Sequence, residues 1–135
     1  MKRVLIAEDD ALIAELLEEV IAGGGYAVCG VAATSDEAVR LGKLCNPDLA
    51  VLDVQLAQGG DGMEVAALLA EEVQQIGILF ATANCESVFA RKPRGHACLA
   101  KPFLPATLLA ALEVVERIVA GGTPSQPLPQ GLRLI

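Results

Sequence analysis

Aromatic residues are nearly absent from this chain: among 135 residues there is no tryptophan, one tyrosine and three phenylalanines, beside a hydrophobic content of 53%. What remains for a core is Leu, Val, Ile and Ala, the filling of a parallel sheet covered by helices on both sides. Histidine is scarcer still, with His96 alone. The four cysteines, Cys29, Cys45, Cys85 and Cys98, show no C-x-x-C spacing and have no companion histidines, so they read as small buried thiols in a reducing cytosol, and a structural zinc site is not expected. Positive charge is also short. A net charge of -7 argues against nucleic acid or an anionic membrane as a partner reached through a general basic surface. No stretch attains the ~18 consecutive apolar residues of a membrane span. Glu8, Asp9 and Asp10 interrupt the N-terminal apolar run before it can act as a signal peptide. These absences lead to the expectation of a soluble, cytoplasmic protein.

What is present is an alternation. Apolar runs at Arg3 to Ala7, Tyr26 to Val31, Leu49 to Leu52, Ile76 to Ala81 and Ala97 to Ala100 read as strands buried on both faces. Between the first two, Leu12, Ile13, Leu16, Leu17, Val20 and Ile21 recur at helical spacing, opposite Glu15, Glu18 and Glu19, until Gly23, Gly24 and Gly25 stop the helix. Thr34 and Glu37 form a capping-box pattern that opens a second helix ending near Asn46. A third runs from Met63 to Val73 with Ala66, Leu69 and Val73 inward. A short fourth, Glu86 to Arg91, is cut off by Pro93 and Gly95, and a fifth spans Ala106 to Ala120. The expected architecture is α/β, a (βα)5 unit with a doubly wound, five-stranded parallel sheet. One domain occupies residues 1–120, followed by a flexible Pro/Gly-containing tail over residues 121–135.

Strands of a parallel sheet end on one rim, where open α/β sheets place their ligands. VLIAEDD, VLDVQL and LAKPF deliver Glu8 and Asp9, Asp53 and Lys101 to that rim, and LFATAN adds the hydroxyl of Thr82. Carboxylates brought to about 4 Å repel by about 4 kcal/mol per pair at an effective dielectric of 20. Lys101 offsets part of this, and a hard divalent cation with oxygen ligands, such as Mg2+, would offset the rest. For any one of these acids a solvated strand end is the simpler reading; for Thr82, a helix cap or a residue that suits a strand end is.

In this order and on these elements, the acidic pair Glu8 and Asp9 after VLIA, Asp53 in PDLAVLDV, the Gly62 loop, Thr82 before Ala83, and Lys101-Pro102-Phe103 resemble the receiver domains of bacterial response regulators in two-component signalling. The resemblance covers about Lys2 to Ala120 and implies a flavodoxin-like receiver fold. It implies that Asp53 accepts a phosphoryl group, that Glu8, Asp9 and Asp53 hold Mg2+, that Thr82 and Lys101 contact the phosphoryl oxygens, and that the bond to Pro102 is cis. The donor would be a sensor histidine kinase or a histidine phosphotransfer protein, since His96 sits in a basic loop and reads as solvent-facing. Output would be binding to a downstream protein or phosphorelay.

The chain also departs from that pattern. Cys98 stands where many receivers carry the Tyr or Phe that swings with the threonine. The loop after Asp53, with Ala57 and Gln58-Gly59-Gly60, is about one residue longer than common, and the interval from Thr82 to Lys101 is short. Arg91, Lys92 and Arg94 form a basic cluster that reads as a solvated loop or as a docking point for an acidic partner. The expectation is a stand-alone switch and not an enzyme in its own right. A rival is a phosphohydrolase with Asp53 as nucleophile, although such enzymes carry a second Asp where this chain has Gln55. A phosphorylation-independent interaction module is the third reading.

Overall fold

The computed structural model describes residues 1–135. In chain order the elements are β1 (Arg3–Ala7), α1 (Ala11–Gly23), β2 (Ala27–Ala32), α2 (Ser35–Cys45), β3 (Leu49–Leu52), β4 (Gln55–Leu56), β5 (Gly60–Asp61), α3 (Gly62–Glu72), β6 (Gly77–Thr82), α4 (Cys85–Arg91), β7 (Ala97–Ala100), α5 (Pro105–Val119) and β8 (Leu132–Leu134). The main sheet has the order β2-β1-β3-β6-β7-β8. Its first five strands are parallel.

Those strands are apolar on both faces because both faces are covered. Leu5, Ala7, Ala50, Leu52, Ile78, Phe80 and Cys98 point into one core with residues of α2, α3 and α4, while Val4, Ile6, Leu49, Val51, Leu79, Ala81, Ala97 and Leu99 point into the other with α1 and α5. The period-2 alternation therefore divides two hydrophobic layers. Helix ends follow the side chains that open them. Asp10 accepts from the N–H groups of Leu12 and Ile13, Thr34 from Glu37, Asp61 from Met63 and Asn84 from Ser87. Glu37 answers by accepting from Ala33 N at 3.2 Å, one residue before the cap itself. Helix α5 has no capping side chain and starts on Pro105, whose missing N–H is no loss in a first turn.

Three features differ from the sequence reading. The sheet has six strands where five were expected, because residues 132–134 of the segment read as a flexible tail return antiparallel to β7. A three-residue L-R-L run is too short to show a period. What seats it is Leu132, only 5% exposed in the α1/α5 core, with hydrogen bonds from Ala100 N to Gly131 O and from Ile135 N to His96 O, both 3.0 Å. Gly131, at φ 81, supplies the left-handed turn into the strand. Second, a two-stranded hairpin, β4 with β5, fills the long loop after Asp53. Gln58 (φ 60) and Gly59 (φ 73) form its turn, closed by Gly60 N donating to Ala57 O at 3.1 Å. Third, Leu12 and Leu16 are 78% and 56% exposed, so α1 buries a narrower stripe, Ala14, Leu17 and Ile21, than its apolar spacing suggested.

Candidate functional site

Glu8, Asp53 and Lys101 each sit one position past the end of a strand, and the backbone ladder carries them there. Glu8 N donates to Ala32 O, Asp53 N to Ala7 O and Lys101 N to Thr82 O, each at 2.9 Å. The side chains then meet. Lys101 Nζ donates to Asp53 Oδ2 at 3.0 Å and also to Glu8 Oε1. Asp53 Oδ1 accepts from Val54 N at 2.7 Å, and Glu8 Oε2 accepts from Asp10 N at 3.1 Å. One carboxylate oxygen from each of Glu8, Asp9 and Asp53 falls within a 4.8 Å group. The Lys101-Pro102 bond is cis.

Burial makes this arrangement strained. Glu8 is only 3% exposed, and burial pushes its carboxyl above the usual range; the Lys101 bond and the Asp10 N–H pull the other way, and the Asp53 charge adds to the rise. For Lys101 burial alone would favour the neutral amine, but the bonds to Glu8 and Asp53 outweigh it and hold the ammonium above the ordinary lysine range. Fully ionised carboxylates 4.8 Å apart repel by about 3 kcal/mol per pair at an effective dielectric of 20. One lysine against three carboxylates leaves a deficit of two charges. Oxygen donors with that deficit, one buried and one open to solvent, fit a hard divalent cation that keeps part of its water.

Thr82 is on the same rim, 5% exposed, but makes no hydrogen bond to the acidic group. Its Oγ1 accepts from Asn84 N at 3.3 Å, which leaves the hydroxyl proton free to be donated. Asn84, not Thr82, caps α4.

Asp61, which the sequence reading did not single out, and Gly62, which it did, organise the surroundings. Asp61 caps α3, takes Ser35 Oγ on its own N–H at 3.0 Å and binds Arg91 Nη2 at 2.5 Å, so the β4–β5 hairpin is tied to α2 and α4. The signal was present as Asp-Gly-Met before an apolar helical run. Gly62 is required by contact: a Cβ there would lie 1.9 Å from the Asp53 carbonyl oxygen, and its N–H donates to Val54 O at 2.7 Å. Of the basic cluster, Arg91 is thus engaged internally, while Lys92 and Arg94 are exposed. The reading of His96 as a solvent-facing residue is corrected. It is half-buried, its Nδ1 accepts from Ile78 N at 3.0 Å, and burial lowers its pKa, so it serves the β6–β7 connection as a neutral acceptor.

Comparison with known proteins agrees with this geometry. The family described as response regulator receiver domain matches residues 4–113, and the chain belongs to it. It is 38% identical over 115 residues to the transcriptional regulatory protein PdtaR of Mycobacterium tuberculosis, covering 84% of this chain and 56% of that protein. Among solved structures, the receiver domain of a modulated diguanylate cyclase from Desulfovibrio desulfuricans superposes with a TM-score of 0.76 at 33% identity, covering 89% of this chain and 97% of that one. The anti-anti-sigma factor PhyR from Bartonella quintana gives 0.77 at 28% identity, covering 89% of this chain and 49% of that one. The chain spans about half the length of the curated relatives it matches first. It is a signalling receiver domain of the α/β receiver fold, and no helix is long and apolar enough to cross a membrane.

Proposed function

We propose that this domain is a phosphorylation-controlled switch in which Asp53 accepts a phosphoryl group from a histidine kinase or a histidine phosphotransfer protein in the cytoplasm. The observation that carries the reading is the position of Lys101, whose ammonium joins the buried Glu8 to Asp53 within the three-carboxylate group. Glu8, Asp9 and Asp53 would hold Mg2+, which supplies charge neutralisation for phosphoryl oxygens and an anchor for their orientation. The chain's own residues do the rest. Asp53 presents a carboxylate fixed by the Val54 N–H, so attack on phosphorus begins from a set orientation. Lys101 already holds Asp53 Oδ2 and neutralises charge as it builds on the transferred group. Thr82 has a free proton to donate to a phosphoryl oxygen, and that donation would change its link to Asn84 and the first turn of α4. Output by binding another protein accords with the PhyR relative, described as an anti-anti-sigma factor.

The test is intact mass after incubation with a small phosphodonor, with Mg2+ and with a chelator. One stable phosphate per chain, dependent on Mg2+ and absent from Asp53→Asn, supports the switch, since an amide is no nucleophile toward phosphorus. Rapid multiple turnover of the donor would favour the hydrolase, which the exposed Gln55 in place of a second carboxylate argues against. No labelling would leave the interaction module.

A further inference from the structure

Residues 131–135 lie on the edge of β7 as a bound peptide would. Ala100 N donates to Gly131 O and Ile135 N to His96 O, both at 3.0 Å, with Leu99 opposite Leu132, Cys98 opposite Arg133 and Ala97 opposite Leu134. Backbone pairing of this kind sets a register, and pockets for alternate side chains set selectivity. Both kinds of contact are present. Leu132 enters the core shared with α1 and α5, 5% exposed. Arg133 points to the opposite face of the sheet, where its guanidinium lies 3.9 Å from the centre of the Phe89 ring and donates to Glu86 Oε1 at 2.9 Å, both partners coming from α4. Edge protection alone needs only paired backbone or a charge on the edge. Here the helices on the two faces supply a pocket for an apolar side chain and a seat for a planar cation.

The stretch that delivers this strand has little hold of its own. Pro124, Pro127 and Pro129 line a shallow groove with Ala110, Val114 and Arg117 of α5, and Arg117 Nη1 donates to Ser125 Oγ at 2.7 Å in an exposed contact. Such a tether keeps the strand at an effective concentration on the order of millimolar, so weak contacts suffice to keep it seated. An opened strand leaves the groove intact, since Glu86, Phe89 and the β7 backbone all belong to the rest of the domain. The groove also has a charge preference: a carboxylate and a ring face attract a cation, and the net charge of -7 steers a basic segment toward it.

We propose that β7, α4 and α5 form a strand-binding groove for an extended segment of a partner protein with an apolar-arginine-apolar pattern, and that residues 131–135 are its occupant in cis. The partner's strand runs antiparallel to β7, its apolar residue taking the place of Leu132 and its arginine that of Arg133. An acidic segment meets Glu86 with like charge, and a wholly aliphatic one leaves Glu86 and the Phe89 ring without a cation. The groove stands on the edge geometry and does not depend on Asp53 being a phosphoryl acceptor.

The test titrates a fluorescein-labelled synthetic peptide with the sequence of residues 127–135 against the full chain and reads anisotropy. Because the strand in cis must open first, apparent affinity is the intrinsic affinity scaled by the open fraction. Weakening the occupant in cis should therefore tighten peptide binding, roughly tenfold for Leu132→Ala and about fivefold for Arg133→Ala, whose side chain is half exposed and whose loss spares the core. A peptide carrying Arg133→Glu should bind the Leu132→Ala chain at least about tenfold more weakly than the unchanged peptide. In amide exchange with saturating peptide, residues 131–135 of the chain should lose protection while the Ala100 N–H keeps it. Equal affinity for the parent and both variants, full binding of the Arg133→Glu peptide, or retained protection of residues 131–135 under bound peptide would each overturn the proposal. So would absence of binding to both variants at millimolar peptide. A parent dimer that exchanges residues 121–135 and has no affinity for free peptide would overturn it too, by making a second copy the occupant.

Discussion

The rim at Glu8, Asp53 and Lys101 and the outer edge at β7 and β8 belong to one sheet, yet they are held by opposite means. At the rim, ionised groups are buried and pinned on several sides: Glu8 has a 2% exposed side chain, Asp53 a 14% exposed one, and one ammonium binds both. At the edge, β8 offers three register pairs, one buried leucine and an ion pair between Arg133 and Glu86 whose side chains are 54% and 84% exposed. The rim is preorganised at a cost in stability; the edge costs little and gives way easily. A receiver needs both. If Asp53 is the acceptor, the charges that would meet a phosphoryl group are fixed before it arrives, while the weakly held segments are the ones free to change.

The comparison is tested most severely by Lys101→Met, which keeps the aliphatic stem and removes the charge. Glu8 and Asp53 would then lie side by side with no countercharge. Removing one partner of a buried ion pair costs about 3–5 kcal/mol. We expect a loss near the lower figure in urea unfolding at neutral pH without divalent cation, partly recovered when Mg2+ is added. A loss below about 1 kcal/mol would place the rim among ordinary surface ion pairs.

Next in size is Leu132→Ala, which should cost at most about 2 kcal/mol, because opening β8 locally limits what its loss can remove. Amide exchange locates the effect. Ala100 and Ile135 N–H groups, bonded to Gly131 and His96 in the parent, should lose protection while Glu8 and Asp53 keep theirs. Equal loss at both places would mean that the edge supports the rim.

How much of this could be read from the chain follows the same division. The rim was legible because strand ends carry their charges at fixed offsets: VLIAEDD, VLDVQL and LAKPF each place a charged residue just past a run that only a two-sided core explains. The edge was not. Leu132 enters the core through pairing with β7, a long-range event that three residues cannot announce, and the Pro-rich stretch before it reads as tail. The Ala57–Gly60 turn was hidden because Gln58 takes a positive φ that glycine more commonly supplies. His96 was misread because its loop is basic, while its partner, the Ile78 N–H, lies on a neighbouring strand start. Leu12 and Leu16 show the reverse failure, since helical spacing marks a stripe without saying how much of it the neighbouring α5 and β-sheet cover.

Acid sharpens the contrast, because the two regions titrate with opposite sign. Glu8 has a raised pKa in the folded state, so the folded protein binds its proton more readily, and this site's penalty is relieved as pH falls through the folded value toward 4.5. Glu8→Gln should therefore be more stable than the parent at pH 7 without cation, with the difference closing toward pH 4.5. His96 has a lowered pKa. Its contribution is complete above 6.5 and is lost as pH falls below that toward the folded value, when protonation of Nδ1 would break the Ile78 bond. Urea midpoints from pH 4.5 to 8 for the parent, Glu8→Gln and His96→Gln separate the two, the His96 variant being flatter between 6.5 and its folded value. Slopes of the same sign at both sites would show that one of the two environments is misassigned.

The smallest effect belongs to Arg133. Its guanidinium lies 3.9 Å from the centre of the Phe89 ring and donates to Glu86 Oε1 at 2.9 Å, so two weak contacts join β8 to α4. An exposed cation–π contact contributes about 0.5–1 kcal/mol and an exposed ion pair about 0–1 kcal/mol. Arg133→Ala should accordingly cost about 1 kcal/mol. Arg133→Lys should keep part of the charge contact and lose the planar stacking. Raising the salt concentration screens the Glu86 pair first and leaves the ring contact, so a salt-insensitive remainder measures Phe89 alone. If Arg133→Ala instead costs as much as Leu132→Ala, the edge is held by charge as the rim is, and β8 ceases to be the yielding side of the sheet.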